Sequence, residues 1–167
     1  LFFLVPVGRG KDIADLALSP EEAESVLRWA FEINRTNPEV KIRQTCAPQA
    51  VRVWESMGRP GAHPAGCMGG KSFAFLSHTG ILQPCGFLDL PCGNLREADY
   101  DFGYLWKNSE IFRKLRDPNG YAGACGRCRF RFECGGCRAR AYAVEGDFLA
   151  QDVSCPVAVS AENSILN

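Results

Sequence analysis

The apolar and polar positions of this chain fall into two textures. At the start, Leu1-Phe2-Phe3-Leu4-Val5 is a continuous apolar run of strand length, followed by Pro6 and by Gly8-Arg9-Gly10. A strand apolar on both faces fits a parallel sheet covered by helices. Ser19-Pro20-Glu21-Glu22 predicts a helix start, with Ser19 as N-cap, Pro20 at the first helical position and Glu22 closing a capping box. Ala23, Val26, Leu27, Ala30 and Ile33 lie along one stripe of that helix, and Asn37-Pro38 ends it. Val40-Lys41-Ile42-Arg43 alternates as a short strand, which makes one strand–helix–strand unit with a right-handed connection.

The pattern then breaks. Residues 58–66 are rich in glycine and proline and read as a linker, which places a boundary near residue 60. Ser72 to Leu76 and Ile81 to Cys85 flank His78-Thr79-Gly80 and predict a β-hairpin, with Gly80 where the turn needs positive φ. Leu105, Trp106, Ile111, Phe112 and Leu115 predict one or two short helices over 104–115. Arg138 to Val144 predicts another, closed by Gly146-Asp147. There is no internal repeat and no low-complexity tract.

A length of 167 residues bounds the chain to one domain or two small ones. Nineteen basic residues balance nineteen acidic ones, so no broad nucleic-acid or membrane surface is expected. No apolar run is long enough to span a bilayer. The chain starts on apolar residues with neither an initiator Met nor a charged leader, so an upstream part is expected to be missing.

Nine cysteines change the picture. Cys125, Cys128, Cys134 and Cys137 read C-x2-C-x5-C-x2-C, with Cys155 after them and Cys46, Cys67, Cys85 and Cys92 before. Disulfide scaffolds favour even counts and an export signal, so thiols in a reducing cytoplasm are the better reading. Four thiolates at such spacing suit an iron–sulfur cluster or a tetrahedral zinc, and the compact run alone does not separate the two.

The upstream cysteines do. Cys67, twelve residues, Gly80, four residues and Cys85, followed by the compact run and Cys155, resemble the SPASM module, the auxiliary-cluster domain of radical S-adenosylmethionine enzymes. One departure is the two-residue gap between Cys134 and Cys137, where three is common in that family. The wording narrows the resemblance further. Gln83-Pro84-Cys85-Gly86, Cys92-Gly93-Asn94-Leu95-Arg96 and Cys134-Gly135-Gly136-Cys137-Arg138-Ala139-Arg140 look like the radical SAM enzymes of alternative haem and haem d1 biosynthesis. So do Phe2 to Gly10 and Thr45-Cys46-Ala47-Pro48.

The resemblance implies an α/β piece of a partial (β/α) barrel over residues 1–60, then a small cysteine-rich α+β domain with a β-hairpin over 61–167. It implies an oxidoreductase that removes or modifies acetate or propionate side chains of an iron tetrapyrrole, served by an electron donor or acceptor protein. Cys125, Cys128, Cys134 and Cys155 would hold one [4Fe–4S] cluster; Cys67, Cys85 and Cys137 would hold a second, with Cys92 the candidate fourth ligand. A one-cluster version leaves some of these as buried thiols. S-adenosylmethionine and its own cluster need a C-x3-C-x2-C loop, which this sequence lacks.

For Cys46, packing is the default role and a substrate-facing one is what the resemblance adds. Arg127, Arg129, Arg131, Arg138 and Arg140 surround the cysteine run with only Glu133 opposing them. They can raise a cluster's potential, clamp substrate carboxylates, or simply be solvated; Arg138 and Arg140 are the candidate site residues, with Arg9 at the end of the first strand. His63 and His78 are read as non-catalytic, and Phe73, Phe75, Trp106 and Phe112 as core. Two other function classes stay open: a non-catalytic iron–sulfur or zinc module, and a SPASM enzyme that matures a peptide.

Overall fold

A computed structural model describes residues 1–58 and 66–158. The expected boundary near residue 60 and His63 lie outside the described residues. The helix at the capping box forms as α1, Pro20–Thr36, with Ser19 Oγ accepting from the Glu22 amide and Glu22 accepting from the Ser19 amide. Its stripe is buried at Ala23, Leu27, Ala30 and Phe31. A second helix, α2 at Ala50–Ser56, packs on it, and Phe31 meets Trp54 edge-on with ring centroids 5.5 Å apart. Val51 and Val53 make α2 a poor helix by propensity; burial of both side chains overrides that, which is why the pattern alone does not show it.

The first strand differs from expectation. Phe3 and Val5 are buried while Leu1 and Phe2 are about half exposed, so only one face is covered among the described residues. Its partner is shifted from 40–43 to 43–45. The Leu1 amino group donates to the Arg43 carbonyl, Thr45 N–H to Leu1 and Phe3 N–H to Thr45, a short parallel ladder. Ile42 does not join, because the Asn34 side chain on α1 pairs with both of its backbone groups at 2.7 and 2.9 Å. A 3-10 stretch, Gly8–Leu16, was not foreseen, and Arg9 on it is exposed.

The hairpin is shorter than expected from 72–76 and 81–85: β1, Phe75–Leu76, pairs antiparallel with β2, Leu82–Gln83, and Gly80 has φ +92°. Exposed His78 sits in its turn. The 104–115 pattern resolves into α3, Phe102–Asn108, and α4, Glu110–Arg116, the latter contributing fully buried Phe112 and Leu115. Helix α5, Gly123–Arg127, carries the first cysteine of the run, and α6, Arg138–Glu145, leaves it and ends at Gly146.

Three apolar clusters hold these parts. One joins Phe3 to α1 and α2, one gathers Leu82, Cys92 and Phe112 under the hairpin. The third spans both textures of the chain, packing Val5 against Leu88, Leu115, Cys137 and Ala139. Phe112→Ala, which empties a fully buried site, is expected to cost about 3–5 kcal/mol in urea unfolding, against about 1 kcal/mol for Ser19→Ala at the helix cap.

Candidate metal centre

All nine cysteines are free thiols, and eight of them ring two cavities. Cys125 lies in α5 and Cys128 just after it, Cys134 ends the following turn, and Cys155 enters from the C-terminal loop. These four line the first cavity, which encloses about 30 Å³. The second, about 440 Å³, is lined by Cys67, Cys85, Cys137 and Cys46. Among the described residues no three His, Cys, Asp or Glu side chains are placed to hold one metal ion. The sulfurs are arranged around two spaces rather than converging on a point.

The first cavity's sulfurs already serve as acceptors. Phe130 N–H points at Cys128 Sγ at 3.4 Å, Gly136 N–H at Cys134 Sγ at 3.4 Å, and Asp152 N–H at Cys125 Sγ at 3.3 Å. Arg138 Nη2 adds a fourth donor to Cys125 Sγ at 3.5 Å. Gly136, at φ +65°, must be glycine: a Cβ there would come within 2.5 Å of Arg138 Nη2 and 3.0 Å of Cys125 Sγ. Opposite, Arg52 lines the cavity with its Nε buried and unpartnered, while its Nη2 pairs with Glu24. Sulfurs ringed by N–H donors and guanidinium groups are what an anionic cluster requires.

Backbone links bring the two cavities together. Cys67 N–H donates to the Cys134 carbonyl at 3.1 Å, and Cys137 follows Cys134 by three residues but faces the other space. The short Cys134–Cys137 gap therefore still separates one sulfur from the other. Burial pushes the thiols of Cys67, Cys85, Cys134 and Cys155 above their ordinary range. Cys46 and Cys137 form a pair: the Cys137 thiol hydrogen-bonds to Cys46, which lowers Cys46 and raises Cys137.

Cys92 is not at either cavity. It is buried beside Leu82 and Phe112, with its thiol 3.6 Å from the Leu90 carbonyl, and burial raises it to about 11. Hairpin packing on α4 draws it into that core, away from the Cys46, Cys67, Cys85 and Cys137 side chains that line the second cavity.

Arg138 and Arg140 are buried, whereas Arg127 and Arg129 are exposed and Arg129 pairs with Glu55. Arg140 is not free to clamp a substrate. Its nitrogens donate to the Leu4 and Cys46 carbonyls, Ser154 Oγ and the Asp152 carboxylate, the last at 3.1 Å. It positions both chain textures. Arg138 stacks over Tyr121 at 4.5 Å, donates to the Phe148 and Ala150 carbonyls, and lines the second cavity while touching a sulfur of the first. Arg9 lines neither cavity. Asp152, fully buried, was not singled out from the sequence; its carboxylate also accepts from Cys137 N–H at 2.7 Å. Its position beside Cys155 was the one available signal.

No family model matches the chain. It is 39% identical to an AdoMet-dependent heme synthase of Nitratidesulfovibrio vulgaris, over 93% of this chain and 45% of that protein. An AdoMet-dependent heme synthase of Methanosarcina barkeri is 38% identical over 93% of this chain and 46% of its own length. A mycofactocin maturase of Mycobacterium tuberculosis is 31% identical over 81% of the chain and 34% of that protein. The chain is similar to parts of these enzymes, and it spans less than half the length of the curated relatives it matches. The Asp152–Arg140 pair touches residues of both cysteine sets. Removing one partner of a buried ion pair leaves the other uncompensated. Asp152→Ala is therefore expected to destabilise the reduced chain by about 3–5 kcal/mol in denaturant unfolding, while Arg127→Ala on the surface stays within about 0.5 kcal/mol.

Proposed function

We propose that this chain is the auxiliary iron–sulfur portion of a radical SAM oxidoreductase that alters acetate or propionate side chains of an iron tetrapyrrole in haem biosynthesis. The observation that carries the reading is the sorting of eight thiols into two rings, four to each cavity. Cys125, Cys128, Cys134 and Cys155 would hold one [4Fe–4S] cluster, and Cys67, Cys85 and Cys137 belong to a second. A single zinc asks four sulfurs to meet at one point about 2.3 Å away, which favours clusters over zinc here. Residues 1–58 are read as part of a partial (β/α) barrel, supported by the parallel ladder and α1. The C-x3-C-x2-C loop that S-adenosylmethionine cleavage requires is not in this sequence, and that step is assigned to residues outside it.

Bound clusters supply one-electron transfer, the chemistry a radical left on a substrate side chain needs in order to finish as product. This chain's residues set the conditions. Amide donors and Arg138 stabilise added negative charge at the first cavity. Ala124, Phe130, Val157 and Ala158 give it an apolar lining. The second cavity is larger, with Phe73, Phe75 and Phe87 along its wall, an apolar surface suited to a flat macrocycle. These three are partly exposed rather than core, a revision of the expectation for Phe73 and Phe75. Among the described residues no helix is long and apolar enough to cross a membrane; a reducing cytoplasm and a soluble electron partner complete the reading.

Anaerobic reconstitution with iron and sulfide should give a broad visible charge-transfer absorption that dithionite bleaches. Stoichiometric zinc binding with no iron uptake would overturn the proposal. Similarity to a mycofactocin maturase keeps a peptide substrate as the second reading. Titration with an iron coproporphyrin separates the two: a saturable Soret shift supports the tetrapyrrole, and its absence favours the peptide.

A further inference from the structure

We infer that Cys46, and not Cys92, is the fourth thiolate of the second cavity, so that a cluster there is ligated by Cys46, Cys67, Cys85 and Cys137. The inference rests on the proposed cluster at that cavity and adds a ligand from a segment outside the cysteine-rich region. In sequence Cys46 stands alone, twenty-one residues before Cys67. In the fold its side chain packs with Cys85 and Cys137 against Val5 and Leu88, in the cluster that joins the two textures of the chain. Cys67 completes the four next to Cys85: a Cβ on Gly69 would lie 3.8 Å from Cys67 Sγ and 3.6 Å from Cys85 Cβ.

The backbone at Cys46 gives an independent argument. Its φ is +59°, and only Cys46, Asp99 and Tyr100 among the described non-glycine residues have positive φ. That conformation is strained for an L-residue with a Cβ. It persists because both sides of the residue are held. Thr45 is tied into the parallel ladder through its N–H and C=O, and the Cys46 carbonyl accepts from Arg140 Nη2 at 2.8 Å. If only the backbone conformation mattered at position 46, glycine would adopt it without the strain. Holding this side chain toward three other thiols is a use that justifies the cost. Gln44, which lines the same cavity, has its Nε2 buried without a partner, a donor in place for an anionic group.

Cys46→Gly in the anaerobically reconstituted protein is the deciding variant, because glycine accepts φ +59° and removes only the thiol. Cys137→Ala and Cys92→Ala serve as positive and negative references, and iron content, Mössbauer and EPR spectra are the readouts. The expected result is that Cys46→Gly and Cys137→Ala each lose one auxiliary cluster or convert it to a three-iron form. Cys92→Ala should match the parent. Far-UV circular dichroism of Cys46→Gly should remain at the parent level, so that iron loss is not unfolding. Parent-like iron and spectra in Cys46→Gly would overturn Cys46 as a ligand while leaving the second cluster standing. A parent protein with one auxiliary cluster, lost in Cys128→Ala and untouched by Cys137→Ala, would overturn the second cluster itself and this inference with it.

Discussion

The buried ion pair between Arg140 and Asp152 is the constraint on which the rest of the structure depends. Arg140 is 5% exposed and Asp152 not at all, so neither charge has water to fall back on. Each must therefore be satisfied by protein, and the groups that satisfy them come from several segments of the chain. Arg140 reaches the Leu4 carbonyl in the first strand and the Cys46 carbonyl in the loop after the ladder. Asp152 accepts from the Cys137 amide and donates its own amide to Cys125 Sγ. One desolvated pair thereby fixes the backbone at residues 4, 46, 125 and 137 relative to one another. Four segments far apart in sequence become one rigid frame around the sulfurs.

Within that frame Arg138 occupies the wall between the two cavities. Its guanidinium is held by two carbonyls and the Tyr121 ring, leaving Nη2 on Cys125 Sγ. A fixed cation between two anionic groups stabilises both and lowers their mutual repulsion. The two cavities differ in size and lining: small apolar side chains border the first, and phenylalanines line the larger second one. The asymmetry follows from what covers each ring, since the thiols are the same.

Much of the local structure was legible because its causes are local. The Ser19–Glu22 capping box needs only neighbouring residues, and the Gly80 turn needs only one residue that tolerates positive φ. Helix α2 was not legible, because two β-branched valines weaken its intrinsic preference and only packing on α1 makes it form. The strand at 40–43 was misplaced for a similar reason. Its alternation is real, yet Asn34 occupies the backbone of Ile42 and moves the pairing to Thr45. The arginines near the cysteine run show the same division. Composition identified them as a group, but burial, which depends on distant segments, distinguishes Arg138 and Arg140 from Arg127 and Arg129.

By itself the amino-acid order determined the compact cysteine run, because short C-x-x-C spacings leave the backbone few ways to arrange neighbouring thiols; it did not determine that Cys137 faces a different cavity from Cys134. Tertiary structure alone put Cys46 at the second cavity and Cys92 away from both, and it alone gave Asp152 its buried partners. Spacing constrains a residue only over the few positions that the chain's stiffness reaches. Beyond that, a side chain goes where core packing and the satisfaction of buried charge send it, here Cys92 into the apolar layer on α4 and Cys46 to the rim of a cavity.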